Sequence, residues 1–359
     1  MVKVLHIINN LAPNGAETLL SYVAPAMKRR GVDAEIATIY KYDTRTGYER
    51  VVREGVKVHS LDFTRRYDFA IPGAIRRLAR DGNYQVVHAN LFPTLYWTAL
   101  ADPECKKMIV TEHGASNNRM EKGFLKPIER VVYGRYDSIV CVGNNVLKTV
   151  SAWLPSLVKR MTVINNGIEI GQFSTAPVAD KRALGVPAEA PLCIMVARFY
   201  KPKDHKTVID AAALVPDLHV LFAGVGDLMQ DTQYYARDRG MDSRIHFLGY
   251  RSDIPSLLKA SDIYVHSSDY EGIPLSVAEA MACGVPVVAS DVDGINELVQ
   301  NGVSGLLFKR GEAKDLAQKM VIVLGDPDQN AKLRAGGRAR AQEYSLDNTV
   351  TKLIALYNS

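Results

Sequence analysis

Ser261-Asp262-Ile263-Tyr264-Val265-His266-Ser267-Ser268-Asp269-Tyr270-Glu271-Gly272-Ile273-Pro274-Leu275-Ser276-Val277-Ala278-Glu279-Ala280-Met281-Ala282 runs on through Gly284-Val285-Pro286-Val287-Val288-Ala289-Ser290 as strand, loop, helix and strand. The two strand-like runs are short, apolar and bounded by turn residues, as strands covered on both faces are. Pro274 suits the first helical turn, so the amides of Leu275 and Ser276 become unpaired donors aimed at an anion. A diphosphate fits such a helix start. Glu271 lies in the loop beyond the strand. Glu279, two turns further on the same helix, falls in a mostly apolar stretch, where an ionised carboxylate is costly without donors such as ribose hydroxyls. That placement points to a ligand.

The same alternation extends in both directions. Apolar runs rich in Val and Ile recur at 4–8, 34–39, 56–61, 86–89, 108–111 and 139–142, separated by helical patterns. A second series follows at 192–197, 219–223, 245–248, 263–266, 285–289 and 305–308. Strands alternating with helices predict parallel sheets covered on both faces, and two series predict two doubly wound domains. A chain of 359 residues also exceeds what one core usually organises. Asn165-Asn166-Gly167 and the stretch 174–191, with Pro177 and Pro187, read as the linker. In such sheets ligands bind beyond the carboxyl ends of the strands, which directs attention to the loops there.

Composition narrows the class further. With 47% hydrophobic and 23% charged residues the chain is an ordinary globular one, and no apolar run approaches a membrane span. The apolar part of residues 1–8 is too short for a signal peptide and reads as a first buried strand, so a cytoplasmic protein is expected. Cys105, Cys141, Cys193 and Cys283 are scattered without a Cys-x-x-Cys pair, against both a disulfide framework and a zinc site. Charge is uneven: residues 1–165 carry 24 Lys+Arg against 15 Asp+Glu, and 166–359 carry 20 against 24. A basic first half suits an anionic acceptor or an anionic membrane surface, with Arg29-Arg30, Arg65-Arg66, Arg76-Arg77 and Lys106-Lys107 as candidate contacts. Solvated surface is an equal reading for any one pair.

The first strand-end loop, Asn9 to Glu17, lacks the Gly-x-Gly-x-x-Gly spacing of dinucleotide sites. Gly15 and the amides beside it, at a helix start, can still meet a phosphate or a sugar hydroxyl. Another loop, Val196-Ala197-Arg198-Phe199-Tyr200-Lys201-Pro202-Lys203-Asp204-His205, places cations after a strand. Arg198 and a lysine there can neutralise a departing diphosphate, the task magnesium performs elsewhere. Phe222-Ala223-Gly224-Val225-Gly226-Asp227 holds a Gly-x-Gly in which small residues let a nucleotide approach.

Nearly the whole chain resembles the retaining GT-B glycosyltransferases of family 4. The resemblance rests on Glu271 and Glu279 with seven residues between them, on Glu-Ala-Met-Ala, and on Gly-x-Pro-Val-Val-Ala-Ser. It implies two Rossmann-like doubly wound domains facing a central cleft: an acceptor-side domain at 1–165, on which a C-terminal helix at 345–359 packs back, and a donor domain at 166–344. It further implies that Glu271 contacts donor-sugar hydroxyls, that Glu279 holds the ribose, and that Arg198 and Lys203 act on the diphosphate. The donor loop would comprise Glu271, Gly272, Ile273, Pro274, Leu275 and Ser276, with Gly224 and Gly226 near the nucleotide; Gly15 counts as a donor contact on its helix-start position alone, a plain tight turn being the equal alternative. His113, in Thr111-Glu112-His113-Gly114, takes the place of a histidine that touches the donor hexose. The usual Lys-Gly has become Lys203-Asp204, and Lys201 adds a cation.

The resemblance implies transfer of a hexose from a nucleoside-diphosphate sugar, expected to be uridine-based, to a saccharide, lipid-linked or other hydroxyl acceptor. Configuration would be retained by a front-face route, with no cofactor, no metal and no nucleic-acid partner. Asp291-Val292-Asp293 matches the metal-binding Asp-x-Asp of another architecture, but its position after 285–290 reads as a loop near the donor pocket. Glu297 is near the pocket by analogy, with a helix-capping role as the alternative. The stretch from Phe124 to Tyr133 mixes cations and apolar residues; packing of its apolar face into the core is the simpler expectation, contact with a membrane the other. Two other functions share the fold: a nucleotide-sugar 2-epimerase, which needs no acceptor, and a non-catalytic nucleotide-sugar-binding subunit.

Overall fold

A computed structural model describes residues 2–12, 15–41, 47–114, 119–120 and 122–359. Pro13 and Asn14 of the first loop lie outside the described residues. The chain divides into two compact units, Met1–Gly167 with Leu346–Ser359, and Ile168–Ser345. The division thus falls two residues beyond the expected 165/166 junction, and the return falls at Leu346.

Among the described residues the first unit holds a parallel seven-stranded sheet: β1 (Lys3–Ile8), β2 (Asp33–Tyr40), β3 (Val58–Phe63), β4 (Val86–Asn90), β5 (Lys107–Glu112), β6 (Ser138–Cys141) and β7 (Met161–Val163). Its order is β3-β2-β1-β4-β5-β6-β7. β7 has no counterpart in the sequence reading, because three half-buried residues carry no apolar run. The second unit holds β8 (Leu192–Val196), β9 (His219–Ala223), β10 (Ile245–Gly249), β11 (Ile263–His266), β12 (Val287–Ser290) and β13 (Leu306–Phe308). Their order is β10-β9-β8-β11-β12-β13. β12 starts at Val287 rather than 285: the Val285 amide donates to Ala280 O at the helix end, and Pro286 has no amide for a ladder. Both orders reverse direction once, between β1 and β4 and between β8 and β11, and the carboxyl ends at such reversals form a crevice for ligands.

The last helix, Leu346–Asn358, belongs to the first unit. Leu346, Val350, Leu353 and Tyr357, at helical spacing, join the core formed with Leu19, Leu20 and Val23. Arg30 clamps its start through Asp347 Oδ1 at 2.5 Å and Thr351 Oγ1 at 2.6 Å, and Lys107 Nζ donates to Leu356 O at its end. Arg29 pairs with Glu54, and Arg76 donates to Ala101 O. These four cations therefore have partners inside the unit.

The helix Lys126–Gly134 also departs from expectation. Glu129, Val132 and Tyr133 face inward, yet Phe124 is 74% exposed, Ile128 52% and Val131 66%. Its apolar residues divide between core and solvent because the inward stripe is narrow and contains a buried carboxylate. Tyr96 donates to that carboxylate, and Arg119 Nη1 lies 3.2 Å from it.

Candidate active site

In the second unit β8 and β11 lie side by side, with Cys193 opposite Ile263 and Ile194 opposite Tyr264. The loops leaving their carboxyl ends are laced together. Asp204 N donates to Ser267 O and Asp269 N to Pro202 O, both at 3.0 Å, and Lys203 bridges to Ser268. Asp204 caps the helix His205–Ala213 by accepting from Thr207 N at 3.1 Å. That explains aspartate after Lys203: it satisfies an amide at the helix start. Lys203 Nζ bonds Glu271 Oε1 directly. Arg198 is exposed, lies over the Tyr200 ring at 5.7 Å, and has no ion-pair partner among the described residues.

The Gly-x-Gly has a structural cause the sequence reading did not contain. Gly224 and Gly226 have φ of +152° and +156°; a Cβ would lie 2.0 Å from Ala197 O at the first and 2.5 Å from Phe199 O at the second. Phe199 N donates to Val225 O. The glycines thus let the loop after β9 lie flush on the Arg198 loop and fix its path.

Glu271 is held from two sides. His266 Nε2 lies 2.8 Å from Glu271 Oε1, and Lys203 approaches the same oxygen. Burial alone would raise the carboxyl's pKa, but the hydrogen bond from His266 and the Lys203 ammonium outweigh it and hold Glu271 well below the usual range. In His266, 1% exposed, burial and the neighbouring Lys203 ammonium lower the pKa against the opposing pull of the Glu271 carboxylate. Lys203 therefore serves Glu271 directly, in addition to its expected role toward a diphosphate.

The helix after this loop is Leu275–Cys283, with Pro274 as the extended residue before it. Its first amides, including those of Leu275 and Ser276, have no partner within the helix and carry its positive dipole end. Glu279 is the fifth helical residue, in the second turn rather than two turns beyond the start. No donor among the described residues hydrogen-bonds its carboxylate, and burial pushes its pKa up to about 7. The turn holding Asp291 and Asp293 ends at Gly294, φ +84°, where a Cβ would lie 1.8 Å from Gly272 O. Asp293 is thus brought beside the Glu271 loop by close backbone packing, and no acidic or histidine cluster with metal-holding geometry occurs among the described residues. Glu297 falls in the short helix Ile295–Leu298, and its backbone carbonyl accepts from Arg340 and Tyr344.

His113 and Gly15 belong to the first unit. His113 follows β5; its Nε2 lies 3.5 Å from Asn90 Oδ1, and burial lowers its pKa to about 4, so the ring is neutral. Its Nδ1 is buried without a partner among the described residues, and the residue lines a cavity of about 30 Å³ with His6, His88, Asn90 and Thr111, enough for one or two waters. Gly15 opens the helix Gly15–Arg29, with nothing within 4 Å of the place a Cβ would take. The second unit brings together Lys203, Glu271, Gly272 and the helix start, with Arg198, Gly224 and Gly226 in adjoining loops. Sequence reasoning passed over His266 and Tyr264. The signal was available, since His266 is the last residue of a strand whose carboxyl end was already singled out.

Comparison with known proteins agrees with this arrangement. Residues 179–340 match the model for glycosyl transferases group 1, and residues 13–172 match that for glycosyltransferase family 4. The chain is 31% identical over 210 residues to an Escherichia coli UDP-Gal:alpha-D-GlcNAc-diphosphoundecaprenol alpha-1,3-galactosyltransferase, covering 55% of this chain and 54% of that one. It is 24% identical over 327 residues to the lipopolysaccharide core biosynthesis glycosyltransferase LpsE of Rhizobium meliloti, covering 90% and 89%. Thus the alignment spans about half of the first relative and most of the second. The structure of Anabaena HepE in complex with UDP-glucose superposes over 100% of both chains with a TM-score of 0.86 at 21% identity, which establishes the shared GT-B fold. Two Rossmann-like units, the glutamate string at a sheet reversal and the two adjoining family matches place this chain among the group 1 GT-B glycosyltransferases.

Proposed function

We propose that the chain transfers a hexose from a uridine diphosphate sugar to a hydroxyl acceptor with retention of configuration. One observation carries the donor site: Glu279, a half-buried carboxylate with no donor among the described residues and a pKa raised by burial, one turn into a helix that starts at the sheet reversal. Ribose hydroxyls would donate to it, and the diphosphate would take the helix start and Arg198. Glu271, kept ionised, would accept from the sugar hydroxyls, and neutral His113 would offer one nitrogen to the hexose. In the front-face step the bond from C1 to the diphosphate oxygen breaks, the acceptor oxygen joins C1 on the same face, and its proton passes to the leaving phosphate. Arg198 and Lys203 neutralise the departing charge in place of a metal. The UDP in the Anabaena complex and the UDP-Gal in the E. coli relative's name support uridine as the base.

Donor and acceptor turnover in the presence of a chelator tests this reading. Glycoside and free UDP should form only when an acceptor is present, with the donor's anomeric configuration by NMR coupling. Epimerised donor without acceptor would establish the isomerase; donor binding without turnover would establish a binding subunit; an inverted product would refute retention.

A lipid-linked acceptor is the favoured class. The E. coli relative is named for a diphosphoundecaprenol acceptor, and Phe124, Ile128 and Val131 stand exposed among Lys122, Lys126 and Arg130. No helix among the described residues is long and apolar enough to cross a membrane. The protein should co-sediment with phosphatidylglycerol vesicles at low salt, and Phe124→Ser combined with Val131→Ser should reduce binding about tenfold, as expected for two withdrawn apolar contacts. Unchanged sedimentation of that variant would place any membrane contact elsewhere.

A further inference from the structure

Four side chains of the second unit form one continuous line. Ser276 Oγ lies 2.9 Å from Tyr264 Oη, Tyr264 Oη lies 3.0 Å from His266 Nδ1, and His266 Nε2 lies 2.8 Å from Glu271 Oε1. Tyr264 is fully buried and His266 nearly so, leaving water little access to the middle of the line. Ser276 sits in the first turn of the helix and Glu271 in the loop before it, so the line joins the two ends of the glutamate loop through the sheet. Its proton arrangement follows from elimination. An ionised Glu271 only accepts, so His266 carries its proton on Nε2. His266 Nδ1 must then accept, so Tyr264 donates to it, and the phenol oxygen accepts from Ser276.

A second arrangement satisfies the same atoms. If the Ser276 hydroxyl turns to donate to a phosphate, Tyr264 donates to Ser276 Oγ, and His266 places its proton on Nδ1 to donate to Tyr264. The exposed lone pair of Nε2 then needs a donor, and Lys203 Nζ is 3.2 Å away. The imidazole remains neutral: the Tyr264 proton passes to Nδ1, the Ser276 proton passes to Tyr264, Ser276 takes one from solvent, and the Nε2 proton leaves to solvent by way of Glu271. Glu271 Oε1 loses the His266 donor and gains room to accept from a sugar hydroxyl.

We propose that Tyr264 and His266 are positioning residues that carry occupancy of the phosphate-facing helix start to Glu271 by switching which nitrogen of His266 holds the proton. This rests on the donor-site reading above. It makes the diphosphate part of the donor prepare the carboxylate for the sugar part, so the two halves of one ligand bind cooperatively.

Histidine-selective ¹⁵N labelling with two-bond proton–nitrogen correlation reads the tautomer of His266, identified by the signal lost in His266→Gln. The empty protein should show the Nε2–H form and the UDP-saturated protein the Nδ1–H form; Tyr264→Phe should bind UDP yet not switch. By calorimetry, Tyr264→Phe should hold the UDP dissociation constant within about threefold of wild type while weakening UDP-glucose about tenfold relative to UDP, the size of one hydrogen bond to a charged group. His266→Gln, which retains a donor toward Glu271, should make UDP-glucose affinity insensitive to Tyr264→Phe. Bound UDP with an unchanged tautomer, or a Tyr264→Phe protein that switches as wild type does, would overturn the relay and leave the donor site standing. Absence of binding by UDP, GDP and ADP alike would overturn both.

Discussion

Arg198→Ala should lower turnover about 10²- to 10³-fold, the usual cost of removing one preorganised donor to charge that develops in the transition state. The side chain is suited to such a measurement. It is exposed and has no ion pair among the described residues, while its loop is held by backbone contacts: Ala197 N to Ala223 O, Phe199 N to Val225 O, and the two glycine approaches. Its removal should therefore leave the denaturation midpoint unchanged. Lys203→Ala should behave differently. That substitution also strips Glu271 of its ammonium partner, so donor affinity and stability should fall together with turnover. Steady-state kinetics with both variants separate these roles; turnover of Arg198→Ala within tenfold of wild type would show that the leaving charge is neutralised by another group.

Glu279→Gln should stabilise the empty protein and weaken nucleotide binding at once. Desolvation keeps the Glu279 carboxyl protonated up to about pH 7 when folded, against an ordinary value of 4.5. Between these values the folded chain holds a proton that the unfolded chain has lost, so the group's contribution to stability falls as pH rises and is fully unfavourable above pH 7. Glutamine has no charge to desolvate. The variant should gain about 3 kcal/mol at pH 8, and much less at pH 5, from the pKa difference. Ribose hydroxyls lose a charged acceptor in the same change, so UDP affinity should fall about 10- to 100-fold. Urea denaturation at the two pH values and titration calorimetry with UDP measure both effects; an equal midpoint for wild type and variant at pH 8 would show that the carboxylate is not desolvated.

Local patterns made much of this legible. Strand and helix periods repeat within a few residues, so runs such as 219–223 and 263–266 could be placed without knowing what they pair with, and the series restarting after the linker was enough to divide the chain. The string from Glu271 to Ser290 marked the donor loop because helix start, carboxylates and following strand are contiguous. What lay beyond reach depends on contacts between distant segments. Lys203 and Glu271 are 68 residues apart and meet because β8 and β11 are neighbours in the sheet, an order that no single stretch encodes. Gly224 and Gly226 read as room for a nucleotide, whereas the backbone of Ala197 and Phe199, 27 residues earlier in each case, fills the place of their missing side chains, as close packing of loops at a sheet reversal requires. The division of the Phe124 to Tyr133 segment between core and solvent turned on which residues Tyr96 and Arg119 could reach. His266 and Tyr264 were written in a strand whose apolar character was plain, but their polar atoms acquire meaning only when the strand end, the next helix and the Lys203 loop converge. The elements, their two series and the composition of the glutamate loop are local properties of the chain and could be read from it; which side chains hold that loop is settled by neighbours in space, because hydrogen bonds and burial depend on them.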